Sequence, residues 1–559
     1  MEKYRKYYIV AIFVYFLVLA GKYLGASELV YWGGDESHHF MNGVFIHDFV
    51  ADGGWRAPFA YSKWYYLKYP ALSVHQYPPL FYILEALLFA LFGIRVVAVQ
   101  ILIFTVMGFS LYVWHRQLAR RFSPEAAALT LLICLTAPLF LHNFARIMLD
   151  SISLALALLL LVALDRWRTS QNRRDLLLAL LLLPIILLIA FTSYFLLFYL
   201  GVFLVDHKFS GQSAGKQWRA VLLAFLVIFL LFVTFGTIAK ITGIPLLYRT
   251  FQGINMMTVD KLQKLFLTHN FAGLWRFELL KIFGAALLLP ALMGLLFAAR
   301  QKAWGKFANE LLYAANFLFI FTLCLTHFEP GRFNLFLLPV FAVLAGYALD
   351  HLLKLLPGRA RTLGFAGLAL LLGWQGIAQS PQYLRGYEAA AQDVIARNPQ
   401  NAPVLCDAYL DGNFIAAIRK YDPAKAQIIF RGDKLLFTSI IYYRDLKETY
   451  VHNAAELYDL LDRYGIRYIV VDGLFLEMPP KALLRQTLQD TAKFRRLRTY
   501  PLATNIPSYE HAQLELYEYA ADHTNYAQPL KMAMPVMEAN YTFTLDELRK
   551  PFAASRIKP

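Results

Sequence analysis

Apolar stretches of about 20 residues recur along the chain, and each is long enough to cross a hydrocarbon layer roughly 30 Å thick. Tyr8 to Leu24, Val221 to Ile238 and Ile282 to Ala299 are three of them. Of the 559 residues, 58% are hydrophobic and 16% charged, a balance that a water-soluble globule of this size does not show. The reading is a polytopic α-helical membrane protein. The first stretch lacks a small-residue cleavage site and runs at once into an acidic cluster, so a retained helix is expected there and not a removed signal peptide.

The net charge of +16 would suit a nucleic-acid partner if the cations formed one patch. They do not. Lysines and arginines fall in short blocks between the apolar stretches: Lys3, Arg5 and Lys6; Arg116, Arg120 and Arg121; Arg166, Arg168, Arg173 and Arg174; Lys208, Lys216 and Arg219; Arg300, Lys302 and Lys306; Lys354, Arg359 and Arg361. This is the positive-inside pattern. It excludes a nucleic-acid role, puts the N-terminus in the cytoplasm, and makes 26–95, 142–150, 190–193, 240–275 and 327–332 external loops of a multi-pass protein of the plasma (inner) membrane. Cys134, Cys324 and Cys406 have no metal-knuckle or disulfide spacing.

One apolar helix disturbs the parity. If Pro79 to Gly93 crossed the bilayer, the block at Arg116 to Arg121 would fall on the wrong side, so this segment reads as an external juxtamembrane or re-entrant helix. About 11 crossings remain. Leu363 to Ile377 is similarly short, and charge parity makes it the last crossing.

From about Ser380 the composition becomes that of a soluble domain. Pro403 to Cys406, Ile428 to Phe430 and Ile466 to Val471 read as buried strands, and Tyr383 to Ala396 and Ala454 to Tyr464 as amphipathic helices. The expected organisation is a transmembrane domain over 1–379, its first external loop included, and an extracytoplasmic C-terminal α/β domain with a partly parallel sheet over 380–559.

Groups able to do chemistry gather in the external loops. Tyr31-Trp32-Gly33-Gly34-Asp35-Glu36-Ser37-His38-His39 follows the first span, and His75-Gln76-Tyr77-Pro78-Pro79-Leu80 closes the same loop. His142 to Asp150, which includes Arg146, separates two long apolar stretches, and His327-Phe328-Glu329-Pro330-Gly331-Arg332-Phe333 lies late in the bundle. Ionisable residues at membrane depth are costly and so point to function.

The order of these motifs resembles the GT-C superfamily: Asp35-Glu36 after the first helix, Tyr77-Pro78-Pro79-Leu80 before a short helix ending in Phe92-Gly93, Arg146 to Asp150, and Arg332 to Pro339. More closely, it is similar to the dolichyl-phosphate-mannose protein mannosyltransferase-like group, which includes the lipid A aminoarabinose transferases, and the resemblance covers roughly residues 1 to 350. The resemblance implies a glycosyltransferase that moves a sugar from a polyprenyl-phosphate donor to a lipid, glycan or protein acceptor on the external face, with inversion. It makes Asp35 the catalytic acid residue of the first loop and Asp150 that of the second.

The residues suit that chemistry in their own right. A carboxylate takes the proton of an acceptor hydroxyl, and Arg332 and Arg146 would hold a departing lipid phosphate. Asp35 is the preferred base, Glu36 a substrate or metal contact, Asp150 an orienting group, and His75 and Gln76 substrate contacts. Gln76 stands where the aminoarabinose transferases carry a metal-binding glutamate, so their zinc site is in doubt here; a divalent ion stays an open candidate and no cofactor is assigned.

Plainer roles compete. Asp35 and Glu36 could be a solvated helix end, His38 and His39 interfacial residues, Asp150 an N-cap, and Arg332 a snorkelling side chain. Lys261 and Lys264 read as solvated, and Asp407, Asp411 and Asp472 as turn residues after strands. A lipid transporter or flippase, or a silent scaffold of the same fold, are the alternative functions. The missing internal repeat weighs against a transporter.

Overall fold

A computed structural model describes residues 5–26, 35–73, 77–208, 216, 219–223, 226–227, 280, 283–324, 332–439, 446–474, 478–520, 527–534 and 539–555. Tyr31 to Gly34, His75, Gln76, Lys261, Lys264 and the motif from His327 to Gly331 lie outside them, as does most of Val221 to Ile238. The chain forms two compact units. One comprises Met1–Leu24, His75–Phe81 and Gln100–Pro381, the other Gly25–Val74, Tyr82–Val99 and Gln382–Pro559. Much of the loop 26–95 is thus counted with the C-terminal residues.

The first unit is helical. Val96–Arg121 and Asn334–Leu355 are long and apolar enough to cross a membrane by length and composition, and Tyr7–Tyr23, Leu80–Phe92, Pro124–Thr136 and Ala285–Arg300 are shorter apolar helices. The run from Leu363 to Ile377 belongs to a longer helix, Gly358–Ala378, whose 21 residues reach about 32 Å at the α-helical rise. Its first turn carries arginines, which hid its length from a count of apolar residues alone.

Ion pairs gather the basic blocks at one end of this unit. Arg121 pairs with Glu310, Arg168 with Asp206 at 3.1 Å and Arg361 with Glu125 at 2.9 Å. Asp350 accepts from the Ser123 amide at 2.8 Å. At the other end the Gln100 amide donates to the Ala145 carbonyl at 2.9 Å, and the Leu80 amide to the Leu188 carbonyl at 3.1 Å. Leu80 and Gln100 therefore sit at the same end, with no net passage through the bundle between them.

Close packing in an apolar medium relies on small residues where backbones approach. Helix Ala285–Arg300 meets Leu338–Leu355 at Gly294, where an added Cβ would lie 1.9 Å from the Leu344 carbonyl oxygen. Because the obstacle is backbone, the helices must separate. Gly294→Ala is expected to destabilise the protein by about 1–3 kcal/mol, read as thermal unfolding in detergent. Gly21→Ala, with nothing within 4 Å of its new methyl, is the matched control and should lose nothing.

In the second unit a five-stranded sheet runs in the order Ile429–Arg431, Val404–Asp407, Tyr468–Asp472, Gln513–Tyr519, Phe494–Pro501. The first three strands are parallel, with Leu405 opposite both Phe430 and Ile469; the last two join antiparallel, Ile469 facing Tyr517. Val404–Asp407 and Tyr468–Asp472 are buried at every position, as strands covered on both faces must be. Helix Asp411–Tyr421 makes the crossover between the strands at 404 and 429. The expected helices are present as Tyr387–Arg397 and Ala454–Arg463, the latter capped by Asn453 on the Glu456 amide.

Helix Asp35–Ala51 and helix Pro58–Lys68 pack in this same unit. Asp48 receives two hydrogen bonds from Arg419, at 2.7 and 2.6 Å, and one from the Tyr65 hydroxyl at 2.7 Å. Tyr69 donates to Asp422 at 3.0 Å, Lys425 pairs with Asp52 at 3.0 Å, and the Lys68 ammonium donates to the Lys425 carbonyl. Lys68 is buried over the Trp64 ring, and that burial brings its ammonium down to about 7.

Candidate functional site

Asp35 and Glu36 stand in the first turn of helix Asp35–Ala51, where unpaired amides favour negative charge. Glu36 is buried and Asp35 half-buried, so the plain reading of a solvated helix end does not describe Glu36. His39 is also buried. Its Nδ1 lies 2.7 Å from the Tyr82 hydroxyl, which ties this helix to Leu80–Phe92 and gives the imidazole a structural task. Asn42 bridges to Ser73 from both ends of its amide, at 3.2 and 2.8 Å.

His38 keeps its Nε2 buried without a hydrogen-bond partner among the described residues. Burial, then the nearby charges of Arg431 and Lys434, hold its imidazole below the ordinary histidine range; Asp35 and Asp433 act in the opposite sense. A metal ion at His38 would meet those two cations. Among the described residues, no group of three or more His, Cys, Asp or Glu side chains is arranged to hold a metal. The residues described do not fit a bound metal ion.

Around that turn stand residues from the far end of the chain. Arg431 closes the strand Ile429–Arg431 and faces Asp411 at 2.7 Å and Asp433 at 2.9 Å, while its Nη1 donates to the Pro70 carbonyl at 3.0 Å. Lys434 pairs with Asp433 at 3.2 Å. Asp472 accepts from the Tyr409 and Leu474 amides, at 2.6 and 3.1 Å, and pairs with the buried Lys481 at 3.0 Å. Its bond to the amide two residues on is the turn geometry expected of it. Asp411 goes further, into a buried ion pair, and burial raises the Asp407 carboxyl to about 6.

In the first unit, Asp150 lies inside the first turn of helix Leu149–Ser170, whose N-cap is Met148. It does not cap the helix. Its carboxylate accepts from the Thr192 hydroxyl at 2.9 Å and faces the Arg332 Nε at 3.7 Å. Arg332 is one-fifth exposed and opens the short 3₁₀ turn Phe333–Leu337, so it is engaged with an acid and not simply reaching for an interface. Arg146 is buried in the turn before Asp150 and donates to the Asn143 side chain at 3.4 Å. Ser151 donates to the Asn143 carbonyl at 2.7 Å, which closes that turn.

Asp150 and Arg332, 182 residues apart in sequence (332 less 150), are thus brought into contact. Asp35 and Glu36 belong to the second unit, with Arg431, Asp433 and Lys434 nearby. Sequence reasoning missed Thr192, Tyr82 and the 411–434 cluster. A hydroxyl and a phenol in aromatic-rich segments carry no signal of their own, and the cluster depends on contacts across more than 300 residues.

The protein shares its fold with two solved proteins, ArnT and AglB. It superposes on ArnT from Cupriavidus metallidurans in the apo state with a TM-score of 0.51 at 14% identity, over 92% of this chain and 98% of that one. The archaeal oligosaccharyltransferase AglB from Archaeoglobus fulgidus, in complex with an inhibitory peptide and a dolichol-phosphate, gives 0.51 at 13%, over 84% of this chain and 70% of AglB. The same enzyme tethered to an acceptor peptide with the NVT sequon gives 0.51 at 13%, over 90% and 75%. No family model and no curated protein matches the sequence.

Proposed function

We propose that the protein is an integral-membrane glycosyltransferase that moves a sugar from a polyprenyl-phosphate carrier to a hydroxyl acceptor on the extracytoplasmic face. The observation that carries this reading is the GT-C fold held over 92% of the chain and 98% of ArnT, with acids at the heads of two helices, Asp35 and Asp150. AglB, whose fold is shared, is an oligosaccharyltransferase seen in complex with a dolichol-phosphate, and the Archaeoglobus fulgidus oligosaccharyltransferase is also seen tethered to an acceptor peptide, which suits a lipid-linked donor and leaves lipid, glycan or protein as the acceptor class.

In the reaction, the Asp35 carboxylate takes the proton of the acceptor hydroxyl as its oxygen attacks the anomeric carbon. The bond to the carrier phosphate breaks on the opposite face, so the configuration inverts. Arg332 and Arg146 receive the negative charge that grows on the departing phosphate. Asp150, held by Thr192, orients Arg332; Glu36 contacts substrate, as do His75 and Gln76. The clustering of basic blocks at one end of the helical unit supports the reading of a multi-pass protein of the inner membrane with about eleven crossings, in which the transmembrane domain lies within 1–379, the loop 26–95 is external, and 380–559 is outside.

The test is release of free carrier phosphate by purified protein given a polyprenyl-phosphate sugar and an acceptor. Lipid movement without glycosidic bond formation would instead favour a transporter. Arg332→Ala is expected to lower kcat about tenfold to a hundredfold, since it removes a donor aimed at developing charge. Arg332→Lys should recover only part of this, because a point charge does not reproduce the guanidinium fork.

A further inference from the structure

We propose that Gly412, at the head of helix Asp411–Tyr421, is a positioning residue: it is the seat against which the turn bearing Asp35 is fixed. This rests on the reading of Asp35 as the base. A Cβ at position 412 would lie 2.2 Å from the Ser37 Oγ, 3.0 Å from the Ser37 Cβ and 3.7 Å from the His38 Cδ2. The first turn of one helix is therefore pressed onto the first turn of the other, and only a residue without a side chain leaves room. Turning the Ser37 hydroxyl away would relieve the closest approach, but the contact with its Cβ would remain.

The seat is itself anchored. Asp411, the neighbour of Gly412, pairs with Arg431 at 2.7 Å, and Arg431 donates to the carbonyl of Pro70, in the same external loop as Asp35. Asp433 holds the other side of Arg431 at 2.9 Å. All of these groups are nearly removed from solvent, with side-chain exposures of 5% for Arg431, 1% for Asp411 and 8% for Asp433. The C-terminal residues thus hold the first loop at two places, Ser37 and Pro70. A general base works only within a narrow range of distance to its proton, and a shift of a few tenths of an ångström at Ser37 is passed to Asp35 two residues away.

The experiment is a graded series, Gly412→Ala and Gly412→Val, read in two ways: turnover of the lipid-linked sugar, and amide hydrogen exchange of residues 36 to 39. Gly412→Val is expected to lower kcat about tenfold, with Gly412→Ala between it and the wild type, while KM for the donor changes less than about threefold. Exchange at 36 to 39 should quicken in the same order. Ser37→Gly in the Gly412→Ala background should restore both readings, which a general loss of stability would not allow. Unchanged exchange across the series overturns the seat, as does a loss of kcat that Ser37→Gly fails to restore. A wild type that transfers no sugar counts against the transferase reading, and the exchange series still decides the seat.

Discussion

Asp35→Asn is expected to slow release of carrier phosphate at least about a hundredfold, the usual contribution of a general base. The amide has the size of the carboxylate but cannot take a proton from an acceptor hydroxyl. The substitution also removes a negative charge from the first turn of helix Asp35–Ala51, worth about 0.3–1 kcal/mol, too little to unfold the protein. Single-turnover rates with enzyme in excess over donor isolate the chemical step, and in steady state the loss should appear in kcat with the donor KM nearly constant. Undiminished turnover in Asp35→Asn removes this residue from the mechanism and leaves Glu36, buried beside it, as the acid to test next.

Local patterns locate the strands at 404, 429 and 468 and the helices after 387 and 454, each to within a few residues, because period and burial leave a mark within ten positions. A short helix does precede Gly93, at Leu80–Phe92, while the expectation that it does not cross rests on charge parity. What no pattern disclosed was the partnership of the first loop with the C-terminal residues. Asp48 and Arg419 are 371 residues apart, and each on its own looks like an ordinary polar residue on an amphipathic helix. Asp411 looked like a turn residue for the same reason: its task is set by Arg431, on the next strand. The contact of Asp150 with Arg332 shows the opposite case, in which family motifs named both residues before their geometry joined them.

Arg419→Ala should be among the most damaging single substitutions in the second unit, about 3–5 kcal/mol, because it leaves the Asp48 carboxylate buried without its principal cation. The side chains of the pair are only 4% and 1% exposed, so water cannot take the place of the guanidinium. Burial alone would raise the Asp48 carboxyl, yet the hydrogen bonds from His47 and Arg419, with the charges of Arg419 and Lys425, bring it down to about 2. The sign of the pH effect follows. Asp48 is more acidic folded than unfolded, so its contribution of roughly 2–3 kcal/mol is complete above the unfolded value near 4 and disappears as pH falls through about 2. Thermal unfolding in detergent between pH 6 and roughly 2 should therefore show the gap between wild type and Asp48→Asn closing as acid is added. Replacing both partners, Asp48→Leu with Arg419→Met, should recover most of what Arg419→Ala loses, since an apolar pair of similar volume leaves no unpaired charge behind. A double variant no more stable than Arg419→Ala would mean that Tyr65 and Lys425, which also reach Asp48 at 2.7 and 3.9 Å, hold the first loop in place through the acid itself.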